Sequence, residues 1–281
     1  MTGTTIKVAA VQLTSGSDPT ANVDSAIELV LDAANQGATY IQLPEYFNYL
    51  GPAKNFSAVA ETVPGPTTAR LAETARARGV TIHIGSMLEA SAVPGKCYNT
   101  GVILDPAGQV AATYRKTHLF DVDVPGEVVY RESDAIEPGQ QLVVVDVAGF
   151  KLGMSICFDL RFPEMYRRLA LNGATVLAIP ASFAVPTGVA HWEVLVRARA
   201  IENHAFVVAA AQVGTTAEGI ATYGHSMIVG PWGEVLAQSL VGGRDVVVVT
   251  LDMGQVARRR SQIAVLDLRR PDVYDSLADR A

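Results

Sequence analysis

The chain has 281 residues, 49% hydrophobic and 18% charged, a balance that is neither disordered nor membrane-like. A chain this long exceeds the usual single domain, yet a large α/β fold can run to this size as one unit and bury roughly three quarters of its unfolded surface. A net charge of −6 argues against a nucleic-acid partner, which needs a clustered basic face, and no apolar run reaches the ~20 residues that span a bilayer. The opening MTGTTIKVAAVQL lacks the pattern of a signal peptide and reads as a first strand over residues 6–13. A helix follows from Pro19, with Val23, Ile27, Val30, Leu31 and Ala34 on one face, Asp18 as its start signal and Gly37 as its stop. Residues 39–43 read as a buried strand ended by Pro44, and residues 99–104 as a strand leading into the turn Asp105-Pro106-Ala107-Gly108. A second strand–helix–strand unit covers residues 151–156, a helix presenting Phe162, Met165, Tyr166 and Leu169, and residues 175–179. Later strands are expected over residues 206–212, 226–229 and 246–251. Strands with helices between them imply an α/β fold of βαβ units, sheets within and helices outside. The phrase GATYIQLP (37–44) returns as GATVLAIP (173–180), which points to two related halves with sheets face to face. No linker or low-complexity tract divides the chain.

Chemistry-bearing residues stand where these buried runs end. Cys157 lies in KLGMSICFDLRFPEMYRRL, where an apolar stretch gives way at the cysteine to a helix-period pattern. A strand end feeding a helix N-terminus sets a side chain at a sharp turn, beside unpaired N–H groups and a positive dipole end, and both favour a thiolate. Glu45 follows the buried strand in GATYIQLPEYF, so its carboxylate is partly desolvated, the setting of a general base. Lys116 lies in YRKTHLFD, after a strand and a turn. Taken singly, each has a plainer reading: a buried structural cysteine, a solvated loop glutamate, a basic surface patch shared with Arg115 and His118. Cys97 reads as structural, and two cysteines are too few for a disulfide framework, which favours a reducing, cytoplasmic setting. The five histidines, His83, His118, His191, His204 and His225, show no paired metal-ligand spacing, and neither a glycine-rich phosphate loop nor a nucleophile-elbow serine occurs. Pairing Cys157 with His118 as in a thiol protease would leave Glu45 and Lys116 without a role. Glu193 and Arg197 are spaced for an i,i+4 ion pair, and the arginine run 258–260 reads as a solvated helix face.

At LPE (Glu45), YRKTHLFD (Lys116) and CFDLRFPE (Cys157) the chain resembles the nitrilase (carbon-nitrogen hydrolase) superfamily, whose catalytic trio is a Glu, a Lys and a Cys in that order. The resemblance runs from VAAVQLTSG near the start to RRPDVYDSL near the end. A second glutamate of the family matches Glu132 in YRESDAIEPG; its plainer reading is a loop carboxylate. The resemblance implies a four-layer α-β-β-α sandwich forming one domain over residues 1–281. It implies no metal, nucleotide or organic cofactor, and a homodimer or higher even homo-oligomer. It also implies a mechanism in which Glu45 takes the Cys157 proton and the thiolate attacks an amide carbonyl carbon. Lys116 and the backbone N–H of Phe158 then face the oxyanion, and Glu45 serves departing ammonia and the hydrolytic water in turn.

Within the superfamily, the stretch from Ser182 through FAVPTGVAHWEVLVRARAIEN, with AAAQVG and YGHSMIVGPWGEVLA, is most similar to amidases of deaminated glutathione and ω-amidases of 2-oxoglutaramate. Both substrates are small-molecule amide carboxylates, so a local cation is needed, and Arg161, four residues after Cys157, is the candidate. An ion pair of Arg161 with Asp159 or Glu164 is the competing expectation. Tyr46, Phe183 and Thr187 are expected to line the pocket. The run Thr215-Thr216-Ala217-Glu218-Gly219 departs from relatives that carry a basic loop there, which weakens the case for a large anionic peptide. Gly230 stands where a turn aspartate is frequent. The same trio would also serve a carbamoyl amide hydrolase, a nitrilase or an acyltransferase, and a non-catalytic scaffold of this fold is the alternative of another class.

Overall fold

The computed structural model describes residues 4–124, 128–216, 219–240 and 242–274. Strand β1 (Thr5–Gln12) is apolar on both faces because it lies between two layers. Ile6, Val8 and Ala10 join the core that lies against a second sheet, whereas Ala9, Val11 and Leu13 pack with helices. Helix α1 (Pro19–Asn35) begins where Asp18 caps it, the carboxylate accepting from Thr20 N and Ala21 N at 2.9 and 3.2 Å. Strand β2 (Tyr40–Gln42) follows; then, after α2 (Phe56–Val59) and α3 (Pro66–Arg78), comes β3 (Thr81–Ala90), and β1, β2 and β3 run parallel. Antiparallel strands β4 (Cys97–Leu104) and β5 (Val110–Arg115) extend the sheet, and a ribbon of β6 (Asp121–Val124) and β7 (Val128–Arg131) follows.

The second sheet contains β8 (Val144–Val147), β9 (Phe150–Gly153), β10 (Val176–Ala178) and β11 (Phe206–Ala209), with α4 (Pro163–Leu171) and α5 (Val185–Asn203) between its parallel strands. After the ribbon β12 (Val213–Thr215) and β13 (Ala221–Tyr223) come β14 (Met227–Val229) and β15 (Val235–Gln238). Strand β16 (Asp245–Asp252) returns to pair with β1, and α6 (Gly254–Gln262) follows. The two sheets have the orders β16-β1-β2-β3-β4-β5 and β15-β14-β11-β10-β9-β8. Each has three parallel strands, an antiparallel pair on one side and one antiparallel strand on the other. The echoed phrase occupies the same place in both: Gly37 and Gly173 have φ of +86° and +94°, and Thr39 N and Thr175 N bond the carbonyls of Lys7 and Lys151.

The layers are therefore helices, sheet, sheet, helices. α1 and α3 bury Val23, Val30, Leu71 and Ala75 against the first sheet; α4 and α5 bury Tyr166, Leu169, Trp192 and Val196 against the second. Buried amides also cross between the sheets: Gln42 Nε2 donates to Val208 O at 2.9 Å, and Gln212 Nε2 to Ser15 Oγ and Glu45 O at 2.9 and 3.0 Å. Five strands, β2, β9, β10, β11 and β14, are shorter than their sequence pattern; β9 stops at Gly153, β10 at Ala178 and β11 at Ala209 while the apolar runs continue into buried connections. The arginine run is not a solvated face throughout. Arg260 Nη2 donates to Ala174 O at 2.7 Å, and Arg259 lies over the Trp232 ring at 4.4 Å. No helix among the described residues is long and apolar enough to cross a membrane.

Candidate active site

Glu45 is delivered by a close approach between backbones. Strand β3 carries an irregularity between Ile84 and Met87, and there Ser86 Oγ accepts from Tyr46 N at 3.0 Å while Phe47 N donates to Ser86 O at 3.2 Å. Gly85 is obligatory at this crossing, since a Cβ there would stand 1.9 Å from Leu43 O and 2.5 Å from Pro44 O. Lys116 follows the end of β5, its backbone N bonded to Asn99 O on β4 at 2.9 Å. Glu132 opens a 3₁₀ turn directly after β7.

These elements bring three charges into one buried cluster. Glu45, Lys116 and Glu132 are 1%, 2% and 2% exposed. Lys116 Nζ donates to Glu45 Oε1 at 2.9 Å and to Glu132 Oε1 and Oε2 at 3.0 and 2.9 Å. Burial by itself would lower the ammonium, but the two carboxylates outweigh it and hold Lys116 well above the usual lysine range. Burial also opposes ionisation of Glu132; Lys116, the Tyr46 hydroxyl at 2.6 Å and Phe120 N at 2.6 Å reverse that and hold Glu132 below the ordinary carboxylate range. Asn99 Nδ2 lies 3.0 Å from Glu45 Oε1 and 3.3 Å from Glu132 Oε1.

Cys157 enters from the second sheet. It opens the 3₁₀ turn Cys157–Arg161 four residues after β9, with φ of +46°, a strained setting for a residue with a Cβ. Cys157 N donates to Pro180 O at 2.8 Å, which pins the turn to the end of β10. Asp159 is fully buried and ties this turn to the Lys116 segment, accepting from Ile156 N, Tyr114 Oη, His118 N and His118 Nδ1 at 2.7–3.0 Å. His118 is thereby turned to Asp159 and stacked on Phe162, 3.6 Å between ring centres. The resting sulfur is a thiol rather than the thiolate expected from a helix N-terminus. Burial raises Cys157 well above the usual range, Glu45 raises it further, and Lys116 and Ser182 N do not offset this. Ser182 N also donates to Glu45 Oε2 at 2.8 Å, so that oxygen lies on the Cys157 side.

A cavity of about 430 Å³ opens over the cluster. Its lining includes Glu45, Lys116, Glu132 and Cys157, together with Tyr46, Phe158, Arg161, Phe183 and Thr187, so all nine residues singled out from the sequence face one space. Phe158 N–H has no acceptor among the described residues, whereas the neighbouring N–H groups of Cys157 and Asp159 are bonded. Arg161 forms no ion pair with Asp159 or Glu164. Its Nη1 meets His191 Nδ1 at 3.3 Å, and the guanidinium lies 5.9 and 5.3 Å from the Phe158 and Phe183 ring centres. The lining also includes the apolar side chains of Leu50, Phe56, Val129 and Ile220. Of the run 215–219, Ala217 and Glu218 lie outside the described residues, as do the last three residues of RRPDVYDSL. Sequence reasoning missed Asn99, Asp159 and Ser182. Asn99 stands in a run read only as a strand, and Ser182 acts through its backbone, which no side-chain pattern reports.

A family model described as carbon-nitrogen hydrolase matches residues 7–261. The omega-amidase NIT2 of Homo sapiens is 38% identical over 272 residues, 96% of this chain and 97% of that protein. The deaminated glutathione amidase of Mus musculus is 40% identical over 276 residues, 96% of this chain and 85% of that protein. Among solved structures, the C. elegans NitFhit protein superposes with a TM-score of 0.91 at 35% identity, covering 98% of this chain and 67% of that one.

Proposed function

The chain belongs to the carbon-nitrogen hydrolase family and is a hydrolase of C–N bonds, and on that premise we propose a thiol amidase that cleaves a small amide carboxylate through a Cys157 thioester. The observation that carries this reading is the buried Glu45–Lys116 pair, 2.9 Å apart, set against a protonated cysteine on a strained turn. Glu45 takes the proton of the Cys157 thiol as the sulfur attacks the carbonyl carbon, and the carbonyl π electrons move to oxygen. Phe158 N–H and Lys116 receive that oxyanion, one such donor being worth about 2.7–4 kcal/mol. The three N–H bonds of Lys116 are divided between Glu45 and Glu132 at rest, so serving the oxyanion means giving up one contact to the paired oxygens of Glu132. Glu45 returns its proton to the amide nitrogen as the C–N bond breaks and the amine or ammonia leaves. It then takes a proton from water, which attacks the thioester. Collapse restores the carboxylic acid and, with the proton from Glu45, the thiol. Every step uses groups of this chain and water, with no cofactor.

Charge count supports a monoanionic substrate. The cations of the lining are Lys116, neutralised by two carboxylates, and Arg161, which pairs with no carboxylate among the described residues. One free cation suits a monoanion such as 2-oxoglutaramate better than deaminated glutathione, which carries two carboxylates. Phe183, its ring centre 5.3 Å from the Arg161 guanidinium, and Thr187 line the same cavity and would hold the acyl chain, and Tyr46 braces Glu132. We further propose a reducing, cytoplasmic setting for the free thiols and a homodimer joined through the helix-bearing face, where α5 leaves Val189 and Val194 exposed. The test is to assay 2-oxoglutaramate and deaminated glutathione side by side, following ammonia from the first and cysteinylglycine from the second. We expect faster turnover of the first and none by a folded Cys157→Ala variant; ammonia release by that variant at the wild-type rate would sink the mechanism.

A further inference from the structure

Asn99 is fully buried on β4 and touches all three charged residues of the cluster. Its side-chain nitrogen lies 3.0 Å from Glu45 Oε1 and 3.3 Å from Glu132 Oε1, and its carbonyl accepts from Lys116 N at 2.9 Å. Its own Oδ1 is buried without a donor, so the amide is placed for its N–H groups at the expense of its oxygen. Two carboxylates share one ammonium here, and the oxygen Oε1 of each is already bonded to Lys116 Nζ. Lys116 alone would leave those like-charged oxygens converging on one nitrogen, with Ser182 N on Oε2 as the remaining hold on the Glu45 carboxylate. The amide supplies a second donor to each.

We infer that Asn99 is a positioning residue: its amide holds Glu45 Oε1, leaving Oε2 as the oxygen on the Cys157 side. This rests on the thiol-amidase reading above. The groups facing Glu45 are Lys116, Glu132, Cys157, Tyr46, Tyr130 and the backbone N–H of Ser182. Asn99 is the neutral side-chain donor that bridges Glu45 and Glu132, so its removal changes hydrogen bonding to the base without changing charge.

Asn99→Leu keeps the side chain's shape and removes its N–H groups. We expect kcat to fall by about tenfold to a hundredfold with KM within about threefold, the signature of a misplaced reacting group. The acidic limb of the kcat/KM–pH profile should move upward, because Glu132, held below the ordinary carboxylate range, loses one of its donors in this variant. Asn99→Ser, with one hydroxyl donor, should fall between. The rate at which iodoacetamide alkylates Cys157 across pH should track both variants. That readout needs no amide substrate, so a mistaken substrate assignment and a mistaken role for Asn99 give different results. A lowered Tm with turnover, pH limb and alkylation profile unchanged would reduce Asn99 to packing and overturn the inference. Should Asn99→Leu not fold, Asn99→Ser is judged by the same three measurements.

Discussion

Among the described residues Arg161 meets two aromatic rings and a histidine nitrogen but no carboxylate, which leaves a half-buried charge to be answered by substrate. Burial accordingly holds this guanidinium below its ordinary range. Arg161→Leu should raise KM for 2-oxoglutaramate by about tenfold to a hundredfold, the ~1.5–3 kcal/mol of a hydrogen bond to a charged group. KM for a neutral amide should hardly change. Steady-state kinetics on both substrates check this, and an equal rise on both would remove Arg161 from substrate recognition. The sequence showed an arginine four residues past the cysteine but not what it touches, because Asp159 and Glu164 both lay within three residues of it along the chain. The fold decides by spending Asp159 on Tyr114, His118 and Ile156.

At the scale of elements, the Glu45 loop depends on β3 as much as on the strand that precedes it. Gly85→Ala would force Leu43 O and Pro44 O away from the new methyl group, at a cost of about 1–3 kcal/mol for overpacking. The Tm should fall, and kcat with it, because the displaced carbonyls lie just before the base; thermal unfolding and turnover of the one variant test both. The local chemistry of α1 was legible, since Asp18, Pro19 and Gly37 act on their own neighbours. The segments carrying Glu45 and Cys157 were legible too, because each stands where an apolar run breaks, whereas Lys116 and Glu132 were found through their motifs' resemblance to the family. β3 and α3 were not. Their residues alternate too little to reveal a period when both faces are buried or when threonine and arginine fill a helix, and their places are set by partners far along the chain. Asn99 and Gly85 belong to the same class, for each is defined by a contact across the sheet.

For the whole molecule, the buried polar chain between the sheets makes stability depend on pH. His83 Nδ1 lies 2.9 Å from the Tyr40 hydroxyl, which is 3.0 Å from Gln42 Oε1, and Gln42 reaches across to Val208. Burial lowers His83 from 6.5 to about 3, so the folded protein keeps the ring neutral where the unfolded chain protonates it. The sign follows: stability is full above 6.5 and falls as pH drops toward 3, with a slope approaching ~1.4 kcal/mol per unit. Glu132, a depressed carboxylate, adds loss of the same sign only as pH falls below about 4.5. Urea unfolding between pH 7 and 5 should therefore show a slope that His83→Gln flattens, and an unaltered slope would remove His83 as its source. The division of the cluster between two sheets has a different consequence. Base and ammonium hang from the first half of the chain and the sulfur from the second, so neither half holds a reactive centre until the sheets dock. During synthesis Cys157 emerges after its base has been made, and it stays an ordinary thiol until the halves close. Its alkylation rate therefore reports that closure from a single atom, because docking moves the thiol into the buried cluster.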